Sequence, residues 1–388
     1  MRRFSVSVVG RLIAAIFQLF VVASVVRTLG VVEFGVYSVS VSVFLAILAI
    51  FELGMGYRVL RGMSAPGSKE MLTTYSIIRF FVLFATIAGV ACLGQVGSYQ
   101  QELIFAVAIY TFGESFGDFA VGITQGFKKS GYASALLITR RVAALAPLLL
   151  ISGRQGVLTS LWTAGLLGIS IFMLFAIRLG AKPVPLVNLL RHNFTLLVSS
   201  GALNIAQLDI SVVGLALGTK GAGLYGAATR LMNPLNMAIS TFVGVAISEL
   251  ASMSSDAQRL NSFRKIQKLT AIFSGLLMAF SWLAPLVTEI LFGSEFLDSG
   301  GIATAVFISA GFAAITQVNL SWFYALGVPK VLAASLCVSV LVGLASIFLF
   351  SRLWGTLGSG LGLIFLNAIT CWVVHYIWKN SVKGIVAD

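Results

Sequence analysis

Eleven ionisable side chains lie inside long apolar runs of this chain: Arg11, Glu52, Arg79, Glu114, Asp118, Arg140, Arg141, Asp209, Arg230, Glu249 and Glu289. An unpaired charge in such surroundings costs upward of ~2.5–3.5 kcal/mol, so each needs a counter-charge, water or a task. Guanidinium groups cannot shed their proton and grip oxyanions bidentately. Carboxylates can accept protons or cations. The last two, Glu249 and Glu289, fall close to the ends of their runs, where they can reach the interface.

Glu114, Asp118 and Gln125 fall within roughly 40° of one another at about 100° per residue, forming one polar stripe on one helix. Asp118 lies eight residues from the end of that helix, and Arg140 and Arg141 lie about as deep in the next, from the same side. They can meet. One reading is a salt bridge that lets the two helices insert. The other is a charge network facing a lumen, favoured because two adjacent arginines exceed what Asp118 alone requires. One of the two arginines can instead snorkel.

Further along, Ser200, Asn204, Gln207 and Ser211 follow the spacing i, i+4, i+7, i+11, which places them within roughly 60° of one another. Asp209 points about 180° away from Ser200. This helix is therefore polar on two sides. One side is expected to line a wet cavity or to hydrogen-bond a neighbouring helix. Asp209 is expected to reach Arg230, at similar depth on the following run.

These residues must be positioned by membrane-spanning helices. Of 388 residues, 58% are hydrophobic and 10% charged, whereas a soluble domain carries about 25% charged residues. The runs are about twenty residues long, twice the length of barrel strands. Twelve spans are expected, at 5–26, 34–56, 73–93, 103–126, 133–152, 157–177, 194–217, 225–248, 267–290, 302–325, 331–350 and 357–378. The +13 net charge then reads as cytoplasmic decoration rather than a nucleic-acid surface. With the N-terminus inside, seventeen of the 26 Lys and Arg fall on the cytoplasmic side, four fall opposite and five lie within spans. Both termini are thus expected in the cytoplasm. The basic start, Met1-Arg2-Arg3, could mimic a signal peptide, but the many spans that follow favour an uncleaved first helix.

The pattern Leu29, Gly30, Gly35, Tyr37 recurs 188 positions later as Leu217, Gly218, Gly223, Tyr225. A second echo joins Gly126, Lys129, Ala133 and Ser134 to Gly327, Lys330, Ala334 and Ser335, at an offset of 201. The difference can be absorbed by the connection from Ala251 to Ile266. The expected fold is therefore an all-α membrane protein of twelve transmembrane helices in two six-helix lobes, 1–180 and 181–388. Six spans per half make the lobes parallel repeats. Pro183 and Pro185 mark the linker between them. Pro147, Pro234 and Pro285 fall inside spans and are expected to kink them.

Cys92, Cys337 and Cys371 have neither metal-ligand nor disulfide spacing. His192 and His375 are the only histidines, and the sequence contains no Walker A loop, GxSxG or HExxH motif. No cofactor, metal or catalytic role is expected.

The segment from Asn204 to Pro234, with Asp209, Gly218, Gly223, Tyr225 and Arg230, resembles the start of the second lobe of bacterial polysaccharide flippases. The stretch RTLGVVEFGVYS, with Arg27, Leu29, Gly30, Gly35 and Tyr37, is similar to their N-terminal signature. FELGMGYRVLR, Phe51 to Arg61, looks like the end of their second span. These flippases belong to the multidrug, oligosaccharidyl-lipid and polysaccharide exporter superfamily. The resemblance implies a V-shaped pair of lobes in the inner membrane that moves a polyprenyl-diphosphate-linked oligosaccharide outward by alternating access. It also implies other glycan-assembly membrane proteins as partners. Such a substrate needs counter-charges, and Arg11, Arg79, Arg140, Arg141 and Arg230 are available, with Asn204 and Gln207 for polar contacts. Glu114, Asp118 and Asp209 are then the candidates for ion coupling. The alternative is an ion-coupled multidrug or small-molecule exporter of the same superfamily. Such a protein is expected to carry acidic residues in its first-lobe cavity, and the first span here has Arg11 and no carboxylate.

Overall fold

Inside a bilayer, backbone N–H and C=O groups have no water to bond, and the α-helix satisfies them within its own segment. The computed structural model describes residues 2–52, 68–93, 100–126, 130–179, 181–236 and 255–387, with single positions between 53 and 67 and between 237 and 254. Among these residues it is helical, without strands. The helices are α1 (Arg2–Ile50), α2 (Ser68–Leu93), α3 (Gln100–Gly126), α4 (Ser130–Leu150), α5 (Gly153–Leu179), α6 (Leu186–Ile205), α7 (Asp209–Arg230), α8 (Asp256–Ala279), α9 (Ala284–Phe292), α10 (Gly300–Leu326) and α11 (Lys330–Ala387). Nine helical stretches among the described residues are long and apolar enough to cross a membrane. The chain is a multi-pass, all-α membrane protein.

Three helices are interrupted by a glycine at positive φ. Gly30 breaks α1 (φ 66°, ψ 178°), Gly218 breaks α7 (φ 75°, ψ −174°) and Gly355 breaks α11 (φ 62°, ψ −141°). Gly30 and Gly218, the paired glycines of the 188-residue echo, share a backbone conformation that is essentially closed to other residues. Their pattern partners agree as well: Gly35 and Gly223 are buried, as are Tyr37 and Tyr225. Two of the breaks are reversals of direction. Ser346 Oγ lies 3.5 Å from the Gly362 carbonyl oxygen, and the rings of Phe350 and Phe365 are 6.3 Å apart. Sixteen residues of straight helix span about 24 Å, so α11 folds back on itself at Trp354 and Gly355.

The chain divides into two compact units, Met1–Leu197 and Val198–Asp388, and the division falls inside α6. In the first unit α3 packs along α5, and α1 packs on α4. A Cβ on Gly113 would strike the backbone of Gly165, and one on Gly168 would strike Gly113. Small residues are what allow membrane helices to approach this closely. In the second unit α10 packs on α11 and α8, with Gly360 set against Ala305. Both α3 and α10 have 27 residues and begin 200 positions apart, and α4 and α11 also begin 200 positions apart.

The prolines act as expected in two places. Pro285 follows a 3₁₀ turn at Phe280–Leu283 that separates α8 from α9. Pro234 lacks the N–H that would bond the Arg230 carbonyl and its ring crowds that carbonyl, and α7 ends at Arg230. Pro147 sits inside α4, four residues before its end is closed by the Ile151 N–H bonding the Pro147 carbonyl at 2.9 Å. Most of Phe51 to Arg61, part of the expected span 225–248, and Glu249 lie outside the described residues.

Candidate functional site

The charged stripe on α3 meets both arginines of α4. Arg140 Nη1 is 2.9 Å from Asp118 Oδ1, and its Nη2 donates to the Glu114 carbonyl at 2.9 Å while lying 3.0 Å from Glu114 Oε1. Arg141 Nη1 donates to Glu114 Oε2 at 2.5 Å. Glu114 thus bridges two adjacent guanidiniums. The arginine in excess of Asp118 is taken up by this second carboxylate, so the network is charge-balanced, two against two. Its exposure is uneven: the Arg140 side chain is 0% exposed and that of Asp118 61%. Gln125 has its side chain outside the described residues.

Room for Arg140 comes from a missing side chain. A Cβ built on Gly117 would collide with the Arg140 guanidinium. The sequence stretch Glu114-Ser115-Phe116-Gly117-Asp118 therefore supplies two acceptors one turn apart and, between them, the gap through which the guanidinium reaches α3.

Arg79, on α2, is enclosed differently. Its guanidinium carbon lies 5.1, 5.0 and 5.5 Å from the ring centroids of Tyr75, Phe116 and Phe119. Its Nη1 donates to the Ser115 carbonyl at 3.2 Å, and its Nη2 donates to Ser115 Oγ. Cation–π contacts gain strength where water is absent, and Arg79 is buried. Arg11 belongs to α1, with its side chain outside the described residues.

In the second unit Asp209 has a hydrogen-bond partner, Tyr225, besides the expected neighbour Arg230. Asp209 Oδ2 accepts from the Tyr225 hydroxyl at 2.8 Å, and its Oδ1 accepts from the Ile210 N–H at 2.7 Å. The turn at Gly218 sets residue 209 opposite 225. Arg230 lies five residues beyond Tyr225, about 7.5 Å along the axis, near enough for its charge to act on Asp209. The stripe of Ser200, Asn204, Gln207 and Ser211 is altered. Residues Ala206–Leu208 form a 3₁₀ turn between α6 and α7, which adds about 20° per residue and rotates Ser211 away from Ser200 and Asn204. Gln207 is exposed, and Asn204 and Asp209 are half-buried.

A further polar pair joins α8 to α10, outside the charged positions of the apolar runs. Gln267 Nε2, on α8, donates to Asn319 Oδ1, on α10, at 2.7 Å, with Asn319 1% exposed. The signal was present: Asn319 lies 201 residues after Asp118, at the offset of the second echo.

Over residues 24–300 the chain matches the family described as polysaccharide biosynthesis protein. It belongs to that family. Solved structures add the fold. A crystal structure of MATE in complex with MaL6 superposes with a TM-score of 0.71 at 13% identity, covering 100% of this chain and 97% of the other. An inward-facing multidrug resistance MATE family transporter of the MOP superfamily gives 0.68 at 15% identity, covering 98% and 99%. A MOP superfamily transporter from Pyrococcus furiosus, described by a binding pocket of reverse polarity that suggests a different function, gives 0.64 at 13%, covering 98% and 95%. Comparison with curated proteins gives no match. This family member therefore carries the MATE fold along its whole length, with an Arg–Glu–Arg–Asp network, open to the outside at Asp118, where the α3 and α4 sequences place their charges.

Proposed function

We propose that this protein moves a polyprenyl-diphosphate-linked oligosaccharide across the bacterial inner membrane by alternating access. Family membership supports a role in polysaccharide assembly, and the fold supports transport. Counting the breaks at Gly30, Gly218 and Gly355 as turns gives twelve crossings in two six-helix lobes, 1–180 and 181–388. The excess of Lys and Arg in one set of connections puts both termini in the cytoplasm.

The observation that carries the reading is the pair Arg140 and Arg141, two guanidiniums bridged by one carboxylate within apolar helices. A diphosphate presents the oxygens such a pair grips. Among the acceptors around Arg140, Asp118 is the one with an exposed side chain, so it is the one a phosphate oxygen would replace. Arg141 holds one Glu114 oxygen and can turn toward a second anion. Arg11, Arg230, Asn204 and Gln207 are assigned to the headgroup and its sugars. Arg79, held by three rings and Ser115, is assigned to positioning α2 against α3 more than to the substrate. Asp118, Glu114 and Asp209 are the groups whose protonation or cation binding would couple transport to a gradient. Other membrane proteins of glycan assembly would supply and take up the substrate.

The exposure of Asp118 favours a second reading, an ion-coupled exporter of cationic or other small molecules. The Pyrococcus furiosus relative indicates that pocket polarity varies on this fold. Proteoliposomes separate the two. Under the first reading, R140Q/R141Q abolishes translocation of the lipid-linked oligosaccharide at matched insertion. Retained translocation in the double variant would remove the substrate role of the arginines, and cation efflux lost in D118N would establish the second reading.

A further inference from the structure

The buried arginines of the first unit are held by carboxylates, rings or carbonyls, but three cations of the second unit are not. Arg264, Lys265 and Lys268 stand exposed on α8, and among the described residues their side chains make no ion pair or hydrogen bond. The turn before them is ordered, since Arg259 binds Asp256 Oδ1 at 2.6 Å and the Met253 carbonyl. After Asp256, α8 contains no further carboxylate.

The same helix face says what surrounds them. From Lys265 it continues through Leu269, Ile272 and Leu276, at steps of four, three and four residues, and these are 61%, 56% and 52% exposed. An exposed apolar stripe on a membrane helix faces acyl chains, so cations at its end stand at the headgroups. The opposite face is packed: Phe263 sits between Trp322 and Trp378, at 5.1 and 5.5 Å. This contact brings the exposed Lys379, next to Trp378, to the same level. An exposed stacked pair, Trp372 and Tyr376, with rings 5.8 Å apart, ends one turn before Lys379. Such aromatic pairs mark the bilayer interface.

We infer that Arg264, Lys265 and Lys268 form a binding site for the headgroup phosphate of an anionic phospholipid, whose acyl chains lie along Leu269, Ile272 and Leu276. The three cations of α8 span about 6 Å of helix axis, the size of one phosphodiester group. A zwitterionic lipid brings its own ammonium to this cluster, so the site selects net negative charge. It is independent of the transported substrate and holds the second unit to its annular lipid.

The test is native mass spectrometry of the detergent-purified full-length protein titrated with phosphatidylglycerol or phosphatidylcholine of matched chains. The wild type retains phosphatidylglycerol in preference, and the preference weakens with added salt. R264Q/K265Q/K268Q loses roughly fivefold in phosphatidylglycerol affinity per cation removed, while R178Q/K182Q, which removes exposed cations of the first unit, leaves this site's affinity unchanged. Equal retention of both lipids by the wild type overturns the proposal whether or not the triple variant folds. Unchanged phosphatidylglycerol affinity in a folded triple variant overturns it as well. A photoactivatable phosphatidylglycerol should label the peptide 256–276, and labelling confined to the first unit would contradict the site.

Discussion

The Tyr225 hydroxyl and Asp209 Oδ2 are 2.8 Å apart, although sixteen residues separate them along the chain. A straight helix would hold them about 24 Å apart, so the bond exists because Gly218 turns the chain between them. Interhelical hydrogen bonds in membranes contribute roughly 0.6–2 kcal/mol. Tyr225→Phe is expected to destabilise the purified protein by that amount, read as a lower melting temperature. Asp209→Asn keeps an acceptor for the hydroxyl and is expected to lose less. A Tyr225→Phe variant as stable as the wild type would show that the bond contributes nothing to the hairpin.

Gly218 and Gly30 hold conformations that cost about 1–3 kcal/mol for a residue with a Cβ. A Cβ at Gly218 would meet nothing within 4 Å, so Gly218→Ala isolates backbone strain there. Each alanine variant is expected to melt earlier, by similar amounts because the two conformations match. Thermal unfolding followed by fluorescence-detected gel filtration reads this directly.

Gly117 and Gly122 lie on the same helix with opposite surroundings. A Cβ at Gly117 meets the Arg140 guanidinium, and one at Gly122 meets nothing within 4 Å. Gly117→Ala is therefore expected to break the contacts of Arg140 with Asp118 and Glu114 and cut the yield of folded protein severely. Gly122→Ala is expected to be neutral or slightly stabilising, since alanine favours helix over glycine by about 1 kcal/mol.

Arg140 and Arg141 are adjacent in sequence but unequal in structure. Arg140→Gln strips charge from Asp118 and Glu114 together and removes a bond to the Glu114 carbonyl. Leaving a buried charge unpaired costs on the order of 3–5 kcal/mol. Arg141→Gln leaves Glu114 with Arg140 and is expected to cost less than half of that. Double-mutant cycles should couple Arg140 to both Asp118 and Glu114, and Arg141 to Glu114 alone. A coupling of Arg141 to Asp118 equal to that of Arg140 would contradict the unequal network.

Much of this was legible in the sequence. Charges inside apolar runs identified α3 and α4 as partners because an ionised group in a bilayer must be matched. The recurring Leu-Gly/Gly-Tyr pattern pointed to a repeat, and its paired glycines, Gly30 and Gly218, break their helices with one backbone geometry. Other features depend on phase and register that composition does not encode. The 3₁₀ turn at Ala206–Leu208 rotates Ser211 relative to Ser200 and Asn204, and nothing in the residues Ala-Gln-Leu announces it. The hydrogen bond from Tyr225 to Asp209 depends on the reversal at Gly218, whose exact centre composition does not give. Glu114 was read as part of a stripe, but its bridging of two arginines depends on the gap at Gly117, whose meaning appears only when α4 is placed beside it.

The account depends most on what crosses the membrane. The direct measurement follows a labelled polyprenyl-diphosphate oligosaccharide in vesicles, with and without the protein, by accessibility to an impermeant saccharide-modifying enzyme. Faster appearance on the far side with protein, lost in R140Q/R141Q at matched insertion, is the predicted result. A rate equal to that of protein-free vesicles, in a preparation that instead exports organic cations, would contradict it.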